Sequence, residues 1–257
     1  MTAAVSETLP AAQGTASGGA PGGAAGTFRI SLFLLHGFRL ERALAAIQLP
    51  LSAQRVLAFL ALRNGPLQRL FVAGNLWIDS SEEHANASLR TALWRLRRPD
   101  CTLVQATATH IQLANEIDVD VRDAASRAQR ALRHTSEDDD LSTLCSAGEL
   151  LPDWYDDWVL IERERFRQLR LHALEAMCEQ LTDGHRFGEA AEAALAAIAV
   201  EPLRESAHRS LIRTHLAEGN VGEAIRQFRA FRDRLHAELG LDPSPQMQQL
   251  VATLPIR

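Results

Sequence analysis

The stretch ASLRTALWRLRR, residues 87–98, decides how the chain is read. At about 100° per residue, Leu89, Ala92, Leu93 and Leu96 gather on one face of a helix, while Thr91, Trp94 and Arg98 point the opposite way. Arg90 and Arg97 flank the apolar stripe on one side and Arg95 on the other. Residues 86–98 hold four arginines and no acid. Such a helix docks by its apolar stripe and presents guanidinium groups, whose planar forks pair with phosphates and with guanine O6 and N7. A merely solvated helix face would have the same composition, so the neighbouring segments have to separate the two readings.

Downstream, LVQATATHIQL (103–113) holds two short alternating segments, 103–106 and 110–113, around Thr107, Ala108 and Thr109, the pattern of a β-hairpin. Upstream, Val56, Leu57, Leu60 and Ala61 share one face of a helix over 53–63, which Asn64-Gly65-Pro66 stops. A second helix is expected over 67–77, a turn at Asp79 and Ser80, and a third helix over 83–98, closed by Pro99. Ahead of these, 28–35, 38–40 and 45–51 read as short strands. Strands, three helices and a hairpin follow the order of a winged helix-turn-helix, in which the third helix enters the major groove and the hairpin wing touches the backbone or the minor groove.

From Asp118 onward the pattern is helical only, with helices expected over 120–134, 139–147, 155–182, 186–199, 203–218, 221–239 and 244–253. Gly184, Pro202, Gly219, Gly240, Pro243 and Pro245 mark their stops. Gly188-Glu189-Ala190 recurs as Gly222-Glu223-Ala224, 34 residues later, the period of tetratricopeptide helix pairs. The segment 155–182 is apolar on two faces, as stacked pairs require. The expected class is therefore mainly α with a small β part: a winged helix-turn-helix domain at 28–115, then an all-α, tetratricopeptide-like repeat domain at 118–257. Residues 1–27, rich in Gly and Ala and without an apolar period, read as a disordered tail.

The formal net charge of -5 hides a division. Residues 28–100 carry ten Arg against five acids, a net +5; residues 101–257 carry 17 Arg against 26 acids, a net -9; Glu7 supplies the remaining -1. A basic half joined to an acidic half suggests that the first meets nucleic acid and the second does not.

The composition also excludes chemistry. All 27 basic residues are arginine, so a Walker P-loop or a Schiff-base lysine is impossible. Cys101, Cys145 and Cys178 form no CxxC and no even disulfide framework, which suits a reducing cytoplasm. No run of 18 apolar residues and no secretory pattern is present. His208 and His215, seven apart, lack further ligands and read as packing or surface histidines. Asp118 and Asp120 read as an extended linker, and Glu137–Asp140 as capping charge on a solvated turn. The aromatic cluster Trp154, Tyr155 and Trp158 reads as a loop packed onto the helical domain. No catalytic, cofactor or metal residue is assigned, and the protein is not expected to be an enzyme.

Taken together, these segments resemble the Streptomyces antibiotic regulatory protein family of bacterial transcriptional activators. The resemblance lies in LSAQRVLAFLALRNGPLQR (51–69), LW (76–77), ASLRTALWRLRR (87–98), LVQATATHIQL (103–113) and DVDVRDA (118–124). In the second half it lies in GELLPDWYDDWVLIERERFRQLRLHALEAM (148–177) and EPLRESAHRSLIRTHLAEGNVGEAIRQFRAFRDRLHAELGLDPSP (201–245). It implies an OmpR-like winged helix joined to a bacterial transcriptional activation domain that binds double-stranded promoter DNA and contacts RNA polymerase and its sigma factor. It also implies a cytoplasmic, nucleoid-associated protein, with homodimeric or side-by-side binding on DNA. Arg95 and Arg97 match the family's DNA-contacting arginines most directly; Arg90, Thr91, Trp94 and Arg98 on the same segment and Thr107 and Thr109 in the wing complete the expected DNA-binding set. The chain departs from the family at ERALAA (41–46), which lacks the usual Gly, and at ATATH (106–110), which lacks the usual Gly-Tyr pair. These departures motivate a rival reading, a tetratricopeptide-like adaptor with a degenerate winged helix.

Overall fold

The computed structural model describes residues 29–252; the expected tail, Phe28 and the end of the last expected helix lie outside the described residues. The chain opens with β1 (Ile30–Phe33), β2 (Arg39–Arg42) and β3 (Ala45–Ala46). Then come α1 (Leu51–Ala61), β4 (Leu67–Gln68), α2 (Arg69–Leu76), α3 (Glu82–Leu96), β5 (Val104–Ala106), β6 (His110–Leu113) and β7 (Ile117–Val119). The remainder is helical: α4 (Asp120–Leu132), α5 (Asp138–Ser146), α6 (Asp157–Asp183), α7 (Phe187–Val200), α8 (Glu205–Glu218), α9 (Val221–Leu239) and α10 (Pro245–Val251).

The strands form two sheets. One has the order β3-β2-β1-β7, with β7 parallel to β1; the other has the order β4-β6-β5, all antiparallel. The first two residues of the expected second helix are therefore drawn into a strand, because Leu67 and Gln68 pair with Ile111 and His110. This pairing ties the wing to the start of α2. The third helix ends two residues early. Arg97 is extended (φ -67°, ψ 128°), since Pro99 disfavours helical backbone at the residue before it and helices close at or ahead of that point.

The tight turn in ERALAA is built without glycine. Arg42 and Ala45 pair across a two-residue loop, and both loop residues, Ala43 (φ 50°) and Leu44 (φ 69°), are left-handed. A two-residue hairpin of this type needs positive φ at both positions. The missing glycine thus leaves the turn in place but strained.

The expected linker around Asp118 is a structural strand. Ile117–Val119 returns from the wing and pairs with the first strand, where Ser31 faces Asp118. At the start of α4 the Asp120 carboxylate accepts the N–H groups of Leu34 (2.9 Å) and Leu35 (3.0 Å). The next turn brings Arg122, whose guanidinium donates to Ala61 O (2.7 Å), Leu60 O (3.1 Å) and Arg63 O (2.9 Å). Leu60 and Ala61 hold the last carbonyls of α1, which lack i+4 N–H partners within the helix, and Arg63 lies just beyond its end.

A continuous apolar core runs from Ile30, Leu32 and Leu57 through Leu89 and Ile111 to Trp158, Val159 and Phe166 at the start of α6. The aromatic cluster consequently packs across the molecule rather than onto the helical repeats alone. Trp158 meets Phe59 of α1 edge-on, with centroids 5.2 Å apart, and Trp154 stacks on Phe38 at 6.1 Å. Two further cores lie among the helices, one around Leu171, Leu174 and Ala193, the other around Phe228, Phe231 and Met247. The repeated Gly-Glu-Ala places Ala190 and Ala224, both fully buried, at equivalent points of α7 and α9.

The acidic run before α5 is not wholly solvated. Asp140 is fully buried, accepts the Glu137 N–H (3.0 Å) in a capping box, and takes Arg130 Nε (3.1 Å) and Arg127 Nη1 (3.2 Å). Burial alone would push its carboxyl up. Arg130, the Glu137 N–H and Arg127 together outweigh that and hold it below the usual carboxylate range.

Two predictions follow from this packing. Leu44→Gly relieves left-handed backbone at a side chain that is 92% exposed, so it stabilises the protein by about 1 kcal/mol, read as a raised midpoint in chemical denaturation. Asp140→Asn lowers the thermal midpoint at pH 7. Because the native carboxyl titrates below its unfolded value, its contribution is present above roughly pH 4 and is lost as pH falls through the native pKa. The gap between wild type and variant therefore closes in acid.

Candidate nucleic-acid interface

The helix α3 begins at Ser81, whose hydroxyl accepts the His84 N–H (3.4 Å), and buries Ala85, Leu89, Ala92 and Leu96 against α1 and α2. Leu93 is half-buried at the edge of this stripe. The opposite face carries Arg90, Thr91, Trp94 and Arg95, all exposed, with the Trp94 indole 70% exposed. Arg97 and Arg98 are exposed too, but they leave from the extended segment beyond the helix end. The acids of this helix, Glu82 and Glu83, sit in its first turn, about 10 Å along the axis from Arg90 and about 20 Å from Arg95 at 1.5 Å per residue.

Ion pairing sorts the ten arginines of the first half. Arg29, Arg39, Arg42, Arg55 and Arg63 pair with Asp118, Glu41, Asp100, Asp156 and Glu162. Arg69, Arg90, Arg95, Arg97 and Arg98 have no carboxylate partner among the described residues. Arg95 reaches Ser52 Oγ and Arg98 reaches Gln48 O, each at 3.4 Å, both weak and exposed contacts. Arg69, Arg90, Trp94, Arg97 and Arg98 line one open cleft of about 560 Å³ between α3 and the wing strand β5.

Arg69 falls inside a stretch where the sequence predicts a helix, not among the expected DNA-binding residues. The signal was the arginine directly after Pro66-Leu67-Gln68 at a helix start. Its backbone N–H donates to Thr109 O (2.9 Å) and its Nη1 to Thr107 O (3.1 Å), so it fastens the wing tip while facing the cleft. Thr107 and Thr109 are both exposed at the tip. Thr107 Oγ1 accepts the His110 N–H (2.9 Å) and the Thr109 N–H (3.4 Å), while the Thr107 N–H donates to His110 O (2.8 Å). A hydroxyl thus closes the turn at ATATH.

Other polar clusters resolve as packing. His208 is buried against Phe231, 4.3 Å between centroids, with Nε2 on Pro202 O (2.9 Å) and Nδ1 on Gln227 (2.7 Å), and burial lowers its pKa. No group of three His, Cys, Asp or Glu among the described residues is placed to hold a metal ion. No described helix is long and apolar enough to cross a membrane.

Comparison with known proteins bears on this arrangement. Residues 145–254 match the model of the bacterial transcriptional activator domain. Regulatory protein AfsR of Streptomyces coelicolor is 30% identical over 214 residues, covering 76% of this chain and 21% of that protein. Both matches agree with the resemblance to the Streptomyces antibiotic regulatory protein family that the sequence carries. It spans about a fifth of the length of the curated relative it matches. The fold is shared with Mycobacterium tuberculosis EmbR, solved in complex with a low affinity phosphopeptide, at a TM-score of 0.61 and 20% identity, over 87% of this chain and 64% of that one. This fold fits the mainly helical class with a winged N-terminal region and tetratricopeptide-like helices.

Thr107→Val keeps the shape of the wing tip but removes its accepting oxygen. Amide exchange at Thr109 and His110 is expected to rise by about fivefold, the effect of losing one hydrogen bond of roughly 1 kcal/mol, with little change at Leu113.

Proposed function

We propose that this protein is a DNA-binding transcriptional activator. Residues 28–115 are the winged-helix module that engages promoter DNA, and residues 118–257 are the helical module that contacts RNA polymerase and its sigma factor. What carries the reading is the sorting of charge: five arginines are neutralised by carboxylates, and of the five left over Arg69, Arg90, Arg97 and Arg98 line the cleft between α3 and the wing while Arg95 stands exposed on α3. A major groove about 12 Å wide admits a helix. With α3 in the groove, Arg90, Thr91, Trp94 and Arg95 face base edges, while Arg97, Arg98 and Arg69 reach phosphates. Thr107 and Thr109 meet the backbone beside them. Phosphate contacts position the module and base contacts specify the site.

The acidic second half is repelled by the duplex, which leaves its helices free for protein contacts and for binding side by side on repeated sites. The match of residues 145–254 to the bacterial transcriptional activator domain and the likeness to AfsR support the same assignment. A protein of this kind works in the cytoplasm, at the nucleoid.

The test is a binding titration against promoter fragments over a range of salt. Affinity falls as salt rises, because neutralised phosphates release counterions with a slope of about -0.9 per contact. Arg95→Ala with Arg97→Ala weakens binding by at least about tenfold and flattens the salt slope, with the thermal midpoint unchanged. Equal binding by this double variant and the wild type would sink the assignment of α3. A protein that binds no DNA at low salt would support the adaptor reading instead.

A further inference from the structure

The outward side of α3 is not uniformly charged. At about 100° per residue, Ala87, Thr91 and Trp94 fall within about 60° of one another, on the side away from the buried Ala85, Leu89, Ala92 and Leu96. Arg90 and Arg95 stand about 40° to either side of this lane. At 1.5 Å per residue the lane is about 10 Å long, the length of roughly three base pairs at about 3.4 Å each.

The members of the lane present apolar groups. Thr91 Oγ1 donates to Ala87 O (3.0 Å), a bond back into its own helix. The γ-methyl is therefore the part of this exposed side chain that is not drawn to the backbone. The Trp94 indole is 70% exposed, and no aromatic ring among the described residues packs on it. A ring of this size, left open beside Arg90 and Arg97 in the cleft between α3 and the wing, is a contact surface and contributes nothing to the core.

The lane lacks the readers of two bases. Adenine is read bidentately by Asn or Gln, and cytosine by the acceptor oxygens of Asp or Glu. Ala87, Thr91 and Trp94 supply neither, and the acids of α3 are confined to its first turn. One feature of the major groove suits apolar side chains, the C5-methyl group of thymine. The guanidiniums at the borders suit guanine O6 and N7 or phosphate oxygens.

We propose that Ala87, Thr91 and Trp94 form a specificity lane that reads thymine methyl groups in the major groove, with Arg90 and Arg95 on guanines or phosphates at its borders. The inference rests on α3 entering the groove and adds which base feature is recognised there.

Uracil tests it, because that base differs from thymine only by the missing methyl. Duplexes selected by the full chain from a random-sequence pool at low salt are resynthesised with deoxyuridine in place of thymidine, and both forms are titrated. The wild type is expected to bind the uracil form more weakly by about fourfold for each methyl lost from the lane, the burial free energy of one methylene-sized group. Thr91→Ser keeps the hydroxyl and its bond to Ala87 O while removing the methyl. It loses about fourfold on the thymine form and narrows the thymine-to-uracil ratio. Trp94→Ala narrows the ratio as well, and since both side chains are exposed the thermal midpoint holds. Equal binding of the two forms by the wild type overturns the proposal. So does a uracil penalty of the same size in the wild type and both variants, which would come from duplex shape. Either result leaves the DNA-binding reading standing, whereas a pool that yields no bound duplex overturns both.

Discussion

The fold depends on two adjacent anchors at the start of α4. Asp120 accepts the N–H groups of Leu34 and Leu35 where the first strand ends, and Arg122 covers the open carbonyls where α1 ends. One turn of helix therefore completes hydrogen bonding for two elements more than 50 residues upstream. Burial pushes the Asp120 carboxyl up, partly offset by those N–H groups. The carboxylate is retained there because unsatisfied backbone donors would cost more. With α4 held this way, β7 lies in register beside β1, and the chain proceeds into α6 with Trp158 already against Phe59.

This anchoring gives the arginines two occupations. Arg122, Arg163 and Arg170 work inside the scaffold, each spreading its fork over helix-end or loop carbonyls: Arg163 on Leu150 O and Trp154 O (2.8 Å each), Arg170 on Leu144 O (2.8 Å) and Cys145 O (2.9 Å). The group on α3 and the wing works outward instead. The same side chain serves both because its five donors are fixed in a plane and match either a set of carbonyls or a phosphate. Charge alone could not distinguish the two occupations; the neighbouring carboxylates and carbonyls do.

Much of this was legible from residues. The 3.6-residue period of 87–98, the proline after it and the hairpin beyond it located α3 and the wing, and the 34-residue recurrence located two equivalent buried alanines. What was not legible depended on partners distant in sequence. Nothing local to IDV marks it as a strand, since its pairing partner lies 87 residues earlier. Asp140 reads as solvent-facing until Arg127 and Arg130 close over it. Trp158 reads as part of the helical half because the ring it meets belongs to α1. Arg69 was passed over for a related reason: its role comes from the wing backbone 38 residues downstream.

The outward face built from Arg69, Arg90, Arg95, Arg97 and Arg98 also has a chemical permanence. A lysine-based cationic surface can be switched off by acetylation, which removes its charge. A guanidinium keeps its proton across the physiological pH range, and this chain offers no side-chain ammonium group for an acetyl transferase to modify. Control over this surface therefore does not run through lysine acetylation; it is left to the ionic medium, to the protein's abundance, or to a molecule that occludes it.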